Sequence, residues 1–163
     1  NKNFKINNFL DFTDEIKKTS FELLQKENIY SKFDGIHLRI GDKHFKENIG
    51  NNQDNRIGSL TNNNIIDKIK NILLNNRNNL FIFFTENENF KSEIKKKNFK
   101  NLKMFDFPII HTGVNTNEYQ KNLKLNICEF YILTMCKNIH SITYSGFPLT
   151  ATYFNNSKLI KYY

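Results

Sequence analysis

The chain has no tryptophan, two cysteines, two prolines and six glycines in 163 residues. Each scarcity excludes something. Two thiols cannot staple a disulfide scaffold, and alone they do not make a zinc site. Cys128 and Cys136, if carried on one helix, lie about 12 Å apart along its axis, too far for a bond between them. Both read as small core residues. No proline- or glycine-rich stretch marks a linker to a second domain, and no internal repeat is visible. No run approaches the roughly 20 apolar residues of a membrane-spanning helix. No signal peptide is visible, but the first residue is Asn1 rather than Met, so this says little about targeting. Neither a GxGxxG fingerprint nor a P-loop is present, which disfavours an ordinary dinucleotide or NTPase site.

What is present is apolar material and positive charge. Hydrophobic residues make up 39% of the chain and aromatics 14%, with 16 phenylalanines. That suffices for one domain with its own core and argues against disorder, despite the many asparagines and lysines. The Asn/Lys/Ile/Phe bias reads as AT-rich coding rather than as chemistry. The net charge of +8 favours anionic partners such as nucleic acid, acidic membrane or phosphorylated small molecules. The basic residues are scattered, and the densest run, Lys95-Lys96-Lys97, reads as the end of a surface helix. No nucleic-acid motif or aromatic-studded basic stripe accompanies them, so a nucleic-acid-binding domain is disfavoured.

The patterning alternates helix and strand. Residues 13–29 read as an amphipathic helix, capped by Thr13 or Asp11, with Ile16, Phe21, Leu23 and Leu24 on its apolar side. A strand follows at 35–40, then a polar loop over 41–60. Thr61 caps a helix over 62–76 with Ile65, Ile69, Ile72 and Leu73 at helical spacing. Leu80 to Phe84 is a continuous apolar run, as in a strand covered on both faces. Helices are expected over 88–97, 116–136 and 148–155. Weaker strands are expected at Leu102 to Phe105 and Ile109-Ile110, a stronger one from Ile139 to Tyr144, and an edge strand from Lys158 to Lys161. This alternation predicts an α/β fold with a parallel sheet and right-handed crossovers.

The run Gly35-Ile36-His37-Leu38-Arg39-Ile40-Gly41-Asp42 concentrates the chemistry. Side chains alternate along a strand, so Ile36, Leu38 and Ile40 share one face, and His37 and Arg39 the other. An arginine on an apolar strand is costly to bury unless it meets an anion. Ligands of parallel α/β sheets bind outside the strands' carboxyl ends. Three polar clusters fall there: His37/Arg39/Asp42, Thr85/Glu86 and Ser145/Gly146/Phe147.

These clusters, in this order, resemble the fucosyltransferase superfamily, whose first motif has the form HxRxGD. His37-Leu38-Arg39-Ile40-Gly41-Asp42 matches every fixed position. The hydrophobic strand Phe81-Ile82-Phe83-Phe84-Thr85-Glu86 is similar to the second motif, with Glu where the family more often has Asp. The stretch Glu129 to Phe147 resembles the helix, strand and SSF-type turn of the α-1,2 branch, through Cys136-Lys137, Ile139, Ser145 and Phe147. Gly146 stands for the middle Ser or Thr, and Pro148-Leu149 for the usual Ser-Trp. The resemblance covers about residues 33–156. It implies a Rossmann-like lobe of a GT-B glycosyltransferase, the one that binds GDP-fucose. The chain is about the size of that lobe alone, so the acceptor-binding lobe is expected to be missing, shortened or supplied by a partner.

The resemblance also implies roles. Arg39 would hold the β-phosphate of GDP, against the alternative of an arginine paired with a structural carboxylate. His37 would support the pyrophosphate or Arg39, or sit as a satisfied core histidine. Gly41 would allow close approach of the ligand, or simply turn the chain. Asp42 would orient Arg39 or face the acceptor, or cap a turn. Glu86, after Thr85, would accept from the guanine edge, or begin a helix. Ser145 and the Gly146 backbone would meet a phosphate, and Phe147 would stack near guanine or join the core. Thr150 is a weaker phosphate candidate, and His44 and His111 are weak candidate bases. The expected donor is GDP-fucose, transferred with inversion to a glycan or glycoprotein acceptor, with neither metal nor cofactor. A protein O-fucosyltransferase and a non-catalytic nucleotide- or glycan-binding lobe are the alternatives.

Overall fold

The computed structural model describes residues 11–40, 61–107 and 119–163. Within them the elements run α1 (Asp14–Lys26), β1 (Asp34–Leu38), α2 (Asn62–Asn75), β2 (Phe81–Thr85), α3 (Glu88–Lys97), β3 (Leu102–Met104), α4 (Tyr119–Thr134), β4 (Asn138–Ser141), α5 (Gly146–Asn155) and β5 (Lys158–Lys161). The five strands form one all-parallel sheet in the order β3-β2-β1-β4-β5. This is the parallel α/β sheet that the alternation predicts, in a Rossmann-like arrangement.

Local chemistry starts and stops the helices. Thr13 caps α1, and Thr61 closes a capping box with Asn64 on α2. Asn87 and Ser145 cap α3 and α5. Lys95, Lys96 and Lys97 do end α3, where they face its negative pole. Asn28, Asn98 and Asn156, each at or just past a helix end, adopt φ of 58°, 48° and 54°, the left-handed region in which asparagine is the usual stand-in for glycine.

The helices cover both faces of the sheet. On one face, Ile65, Ile69, Ile72 and Leu73 of α2 and Phe90 and Ile94 of α3 pack with Ile36, Leu38, Phe81 and Phe83. On the other, Leu24, Ile132, Leu133 and Ala151 pack with Ile82, Phe84 and Ile139. β1 and β2 are buried at every position, which explains their continuous apolar runs. The chain winds outward from β1 through β3, then crosses to β4 on β1's other side. The winding therefore reverses between β1 and β4, where such sheets open a crevice at their carboxyl ends.

Three expectations need adjustment. Phe21 is exposed on α1 and meets Tyr131 edge-on at 6.4 Å, while Ser20 takes the buried position. Cys136 lies two residues beyond α4 rather than on it with Cys128, and both thiols are free and buried. The strand expected from Ile139 to Tyr144 ends at Ser141. The Ile109-Ile110 strand lies outside the described residues. Among those described, no helix is long and apolar enough to cross a membrane.

Gly35 sets the distance between the sheet and the end of α4. A Cβ added there would lie 2.9 Å from Cys136 Sγ and 3.3 Å from Leu133 Cδ1 and Phe84 Cε2. The replacement Gly35→Ala should destabilise the fold by about 1–3 kcal/mol, the usual cost of overpacking a core. Adding Cys136→Ala removes the nearest obstacle and should recover part of that loss in urea denaturation. Unchanged stability of the single variant would show that the layer can spread.

Candidate functional site

The β1–β4 ladder ends where the Ile142 N–H donates to the His37 carbonyl at 3.0 Å. Beyond it the two chains part, and a side chain replaces the ladder. The Arg39 N–H donates to Thr143 Oγ1 at 3.0 Å, and the Thr143 hydroxyl donates to the Arg39 carbonyl at 2.9 Å. One residue on, the Ile40 N–H donates to Glu86 Oε1 at 2.8 Å. The same oxygen lies 3.4 Å from Arg39 Nε. The Arg39 side chain is nonetheless 46% exposed, against 13% for Glu86. The backbone of Arg39 is thus fixed while much of its side chain faces solvent.

His37 lies two residues back on the face opposite Ile36 and Leu38, as the alternation requires. It is buried, and its Nδ1 is enclosed with no hydrogen-bond partner among the described residues. Burial first, and the nearby Arg39 charge second, lower its pKa to about 3, so the ring is neutral at physiological pH. Phe147 lies beside it, with ring centroids 5.8 Å apart, and Phe147 in turn packs on Phe130 at 4.8 Å.

Phe147 belongs to the first turn of α5. Ser145 Oγ accepts from the Phe147 N–H at 3.3 Å, which leaves its hydroxyl proton free to donate elsewhere. Gly146 is exposed, and a Cβ added to it would meet nothing within 4 Å, so packing does not demand glycine there. Thr85 is in register with Leu38, on the face opposite His37, and its buried Oγ1 accepts from the Asn87 N–H at 3.3 Å at the start of α3. Thr150 is exposed further along α5. The structure therefore gathers His37, Arg39, Thr85, Glu86, Ser145, Gly146 and Phe147 at the carboxyl ends of β1, β2 and β4. Gly41, Asp42, His44 and His111 lie outside the described residues.

Three further residues join this end of the sheet. Thr143 reads from sequence as part of a strand, and its role shows only once β4 lies beside β1. Lys91 has a buried side chain, with Nζ bonded to Glu88 Oε1 at 2.9 Å. Glu129, on α4, is half-buried, but its carboxyl group is enclosed closely enough that burial pushes its pKa up to about 7. Lys91 and Arg39 pull that pKa down, and Glu86 and Glu88 push it up. The acid at the head of the third motif was the available signal for Glu129. Among the described residues, no group of three or more histidines, cysteines or carboxylates could hold a metal ion.

The arrangement offers a half-exposed guanidinium on a fixed backbone, an imidazole nitrogen with no partner among the described residues, the Ser145 hydroxyl and a helix N-terminus at the carboxyl end of the sheet. That set suits a phosphorylated ligand. A scan of protein-family models finds none that matches this chain, and a search of curated proteins finds no match.

Two titrations of opposite sign should be measurable here. His37 has a folded pKa below its unfolded value, so its stabilising effect is complete above pH 6.5 and is lost as the pH falls towards 3. Between pH 7 and 5 this one group should remove about 2 kcal/mol, and a His37→Gln variant should show a flatter fall in that window. Glu129 has a raised folded pKa, so its effect is complete below pH 4.5 and is lost as the pH rises through 7. Glu129→Gln should therefore raise Tm relative to wild type at pH 8 and not at pH 5. Equal pH profiles in thermal melts of wild type and either variant would contradict the assignment for that residue.

Proposed function

We propose that this crevice binds the diphosphate of a GDP-sugar, and that the chain is the donor-binding lobe of a fucosyltransferase. One observation supports the reading above the others. The half-exposed Arg39 side chain springs from a fixed backbone two residues from a buried histidine nitrogen that has no partner among the described residues, at the end where parallel α/β sheets bind ligands. A buried polar atom normally has a partner, and a phosphate oxygen is an acceptor of the right kind for it. The identity of the nucleotide and sugar rests on the three motifs.

In this reading the Nη edge of Arg39 meets the β-phosphate, since its Nε edge faces Glu86. Neutral His37 can donate its ring N–H, and the Ser145 hydroxyl and the Gly146 backbone N–H complete the set. The acceptor hydroxyl oxygen attacks the fucose anomeric carbon from the side opposite GDP. The bond from that carbon to the β-phosphate oxygen breaks, giving inversion. The acceptor's proton passes to solvent water, and GDP leaves with an added negative charge. Arg39 stabilises that growing charge at the β-phosphate, where a fixed cation is worth most. Phe147, already edged into solvent, offers a ring face near the base. Glu86, which accepts from the Ile40 N–H and faces Arg39 Nε, stands where the second motif places an acid toward the guanine edge.

Calorimetric titration with GDP, GDP-fucose, GMP, UDP and ADP tests this. Wild type should bind GDP and GDP-fucose in preference to the rest, and Arg39→Ala should weaken GDP roughly 100-fold through loss of a charge-assisted contact. Equal affinity for GMP and GDP in wild type would reject the diphosphate site. Tight GDP binding without transfer to a glycan panel would assign the chain as a binding lobe rather than an enzyme.

A further inference from the structure

We infer that Thr143 is a positioning residue for Arg39: by standing in for the missing β1–β4 ladder, its hydroxyl aims the guanidinium at the distal phosphate of the ligand. The inference rests on the reading of Arg39 as a phosphate-binding group.

The argument starts from the geometry of the parting strands. Paired residues of β1 and β4 end at His37 and Ser141. The next backbone groups on the β1 side, the N–H and C=O of Arg39, have lost their ladder partner just as the chain leaves the sheet. A threonine hydroxyl can accept one hydrogen bond and donate another, so it can satisfy both at once. Thr143 does so, at 3.0 and 2.9 Å. Its own backbone is tied down as well, because the buried Ser141 hydroxyl donates to the Thr143 carbonyl at 2.8 Å.

Thr143 has no exposed surface, so it is not placed to touch a ligand. Its effect has to pass through Arg39. On the other side, Glu86 holds the Ile40 N–H and faces Arg39 Nε. The peptide units on either side of the Arg39 Cα are therefore held by side chains from β4's end and β2's end. The reach of the guanidinium, three methylenes away, starts from where these contacts hold the Arg39 Cα. Displacement of about 1 Å at a positioned group commonly costs 100-fold in effect.

The test uses Thr143→Val, which keeps the shape and removes both hydrogen bonds, with Thr143→Ser as the variant that retains the hydroxyl. GDP and GMP are the probes, since only GDP has the distal phosphate. Thermal melts report folding alongside. The expected result is that Thr143→Val weakens GDP roughly 10- to 100-fold and leaves GMP within about twofold, while Thr143→Ser restores GDP binding. Arg39→Ala with Thr143→Val should bind GDP no more weakly than Arg39→Ala alone, because the two act through one group.

Lowered Tm with unchanged GDP affinity in Thr143→Val would overturn the inference and leave the phosphate role of Arg39 standing. A wild type that does not prefer GDP to GMP would remove that role and the inference with it. If Thr143→Val does not fold, wild type decides by NMR. The Arg39 amide and Thr143 hydroxyl protons should shift on adding GDP and not GMP, and signals that do not move overturn the proposal.

Discussion

β1 is covered on both faces, so the polar groups at its two ends have no water to turn to. At the amino end the problem is Asp34, a carboxylate that is 2% exposed. It is solved by three N–H donors: the Asn138 backbone at 3.0 Å, the Asn138 side chain at 2.9 Å and the Asn79 side chain at 2.8 Å. Asn79 leads into β2 and Asn138 begins β4, so one carboxylate aligns the starts of the three central strands. At the carboxyl end the same demand is met by Thr143 and Glu86. Removing one partner from either set would leave buried donors or acceptors unsatisfied, the expensive case for a hydrogen bond. The exception along this strand is the His37 nitrogen, which has no partner among the described residues.

The electrostatics of the crevice differ from those of the whole chain. A net charge of +8 provides a field that draws anions in. Locally, however, Arg39 and Lys91 share their end of the sheet with Glu86, Glu88 and Glu129. Such mixing lets cations be half-buried at little cost, because each has an opposite charge nearby. It also leaves the net local charge dependent on Glu129, whose raised pKa lies within the physiological range. His37 stays neutral over that range. The crevice thus becomes more positive towards mild acidity through the loss of a carboxylate charge rather than the gain of an imidazolium.

Much of the fold is legible in the sequence because its signals are local. Thr13 and Thr61 cap helices through bonds to residues three positions on, and the isoleucines of α2 recur at the helical period. The period-2 alternation placed His37 and Arg39 opposite Ile36 and Leu38. The apolar run before Thr85 marked a strand covered on both faces. What escaped depends on neighbours distant in sequence. Arg39 meets Thr143 across 104 positions, and Ile40 meets Glu86 across 46. A threonine at a strand end has no local feature that marks it as half of such a pair. Phe21 misled for the related reason that an apolar side chain can be exposed and still find one ring to lean on.

The three left-handed asparagines have a consequence outside the native state. A helix stop at φ near +50° is most often built with glycine, which keeps wide freedom when the chain unfolds. Asn28, Asn98 and Asn156 reach the same geometry with a residue that has fewer backbone states to lose. Each stop therefore trades some native-state ease for a stiffer unfolded chain. The choice of asparagine at these stops thus acts on the folding equilibrium from the denatured side, at points where the folded backbone tolerates it.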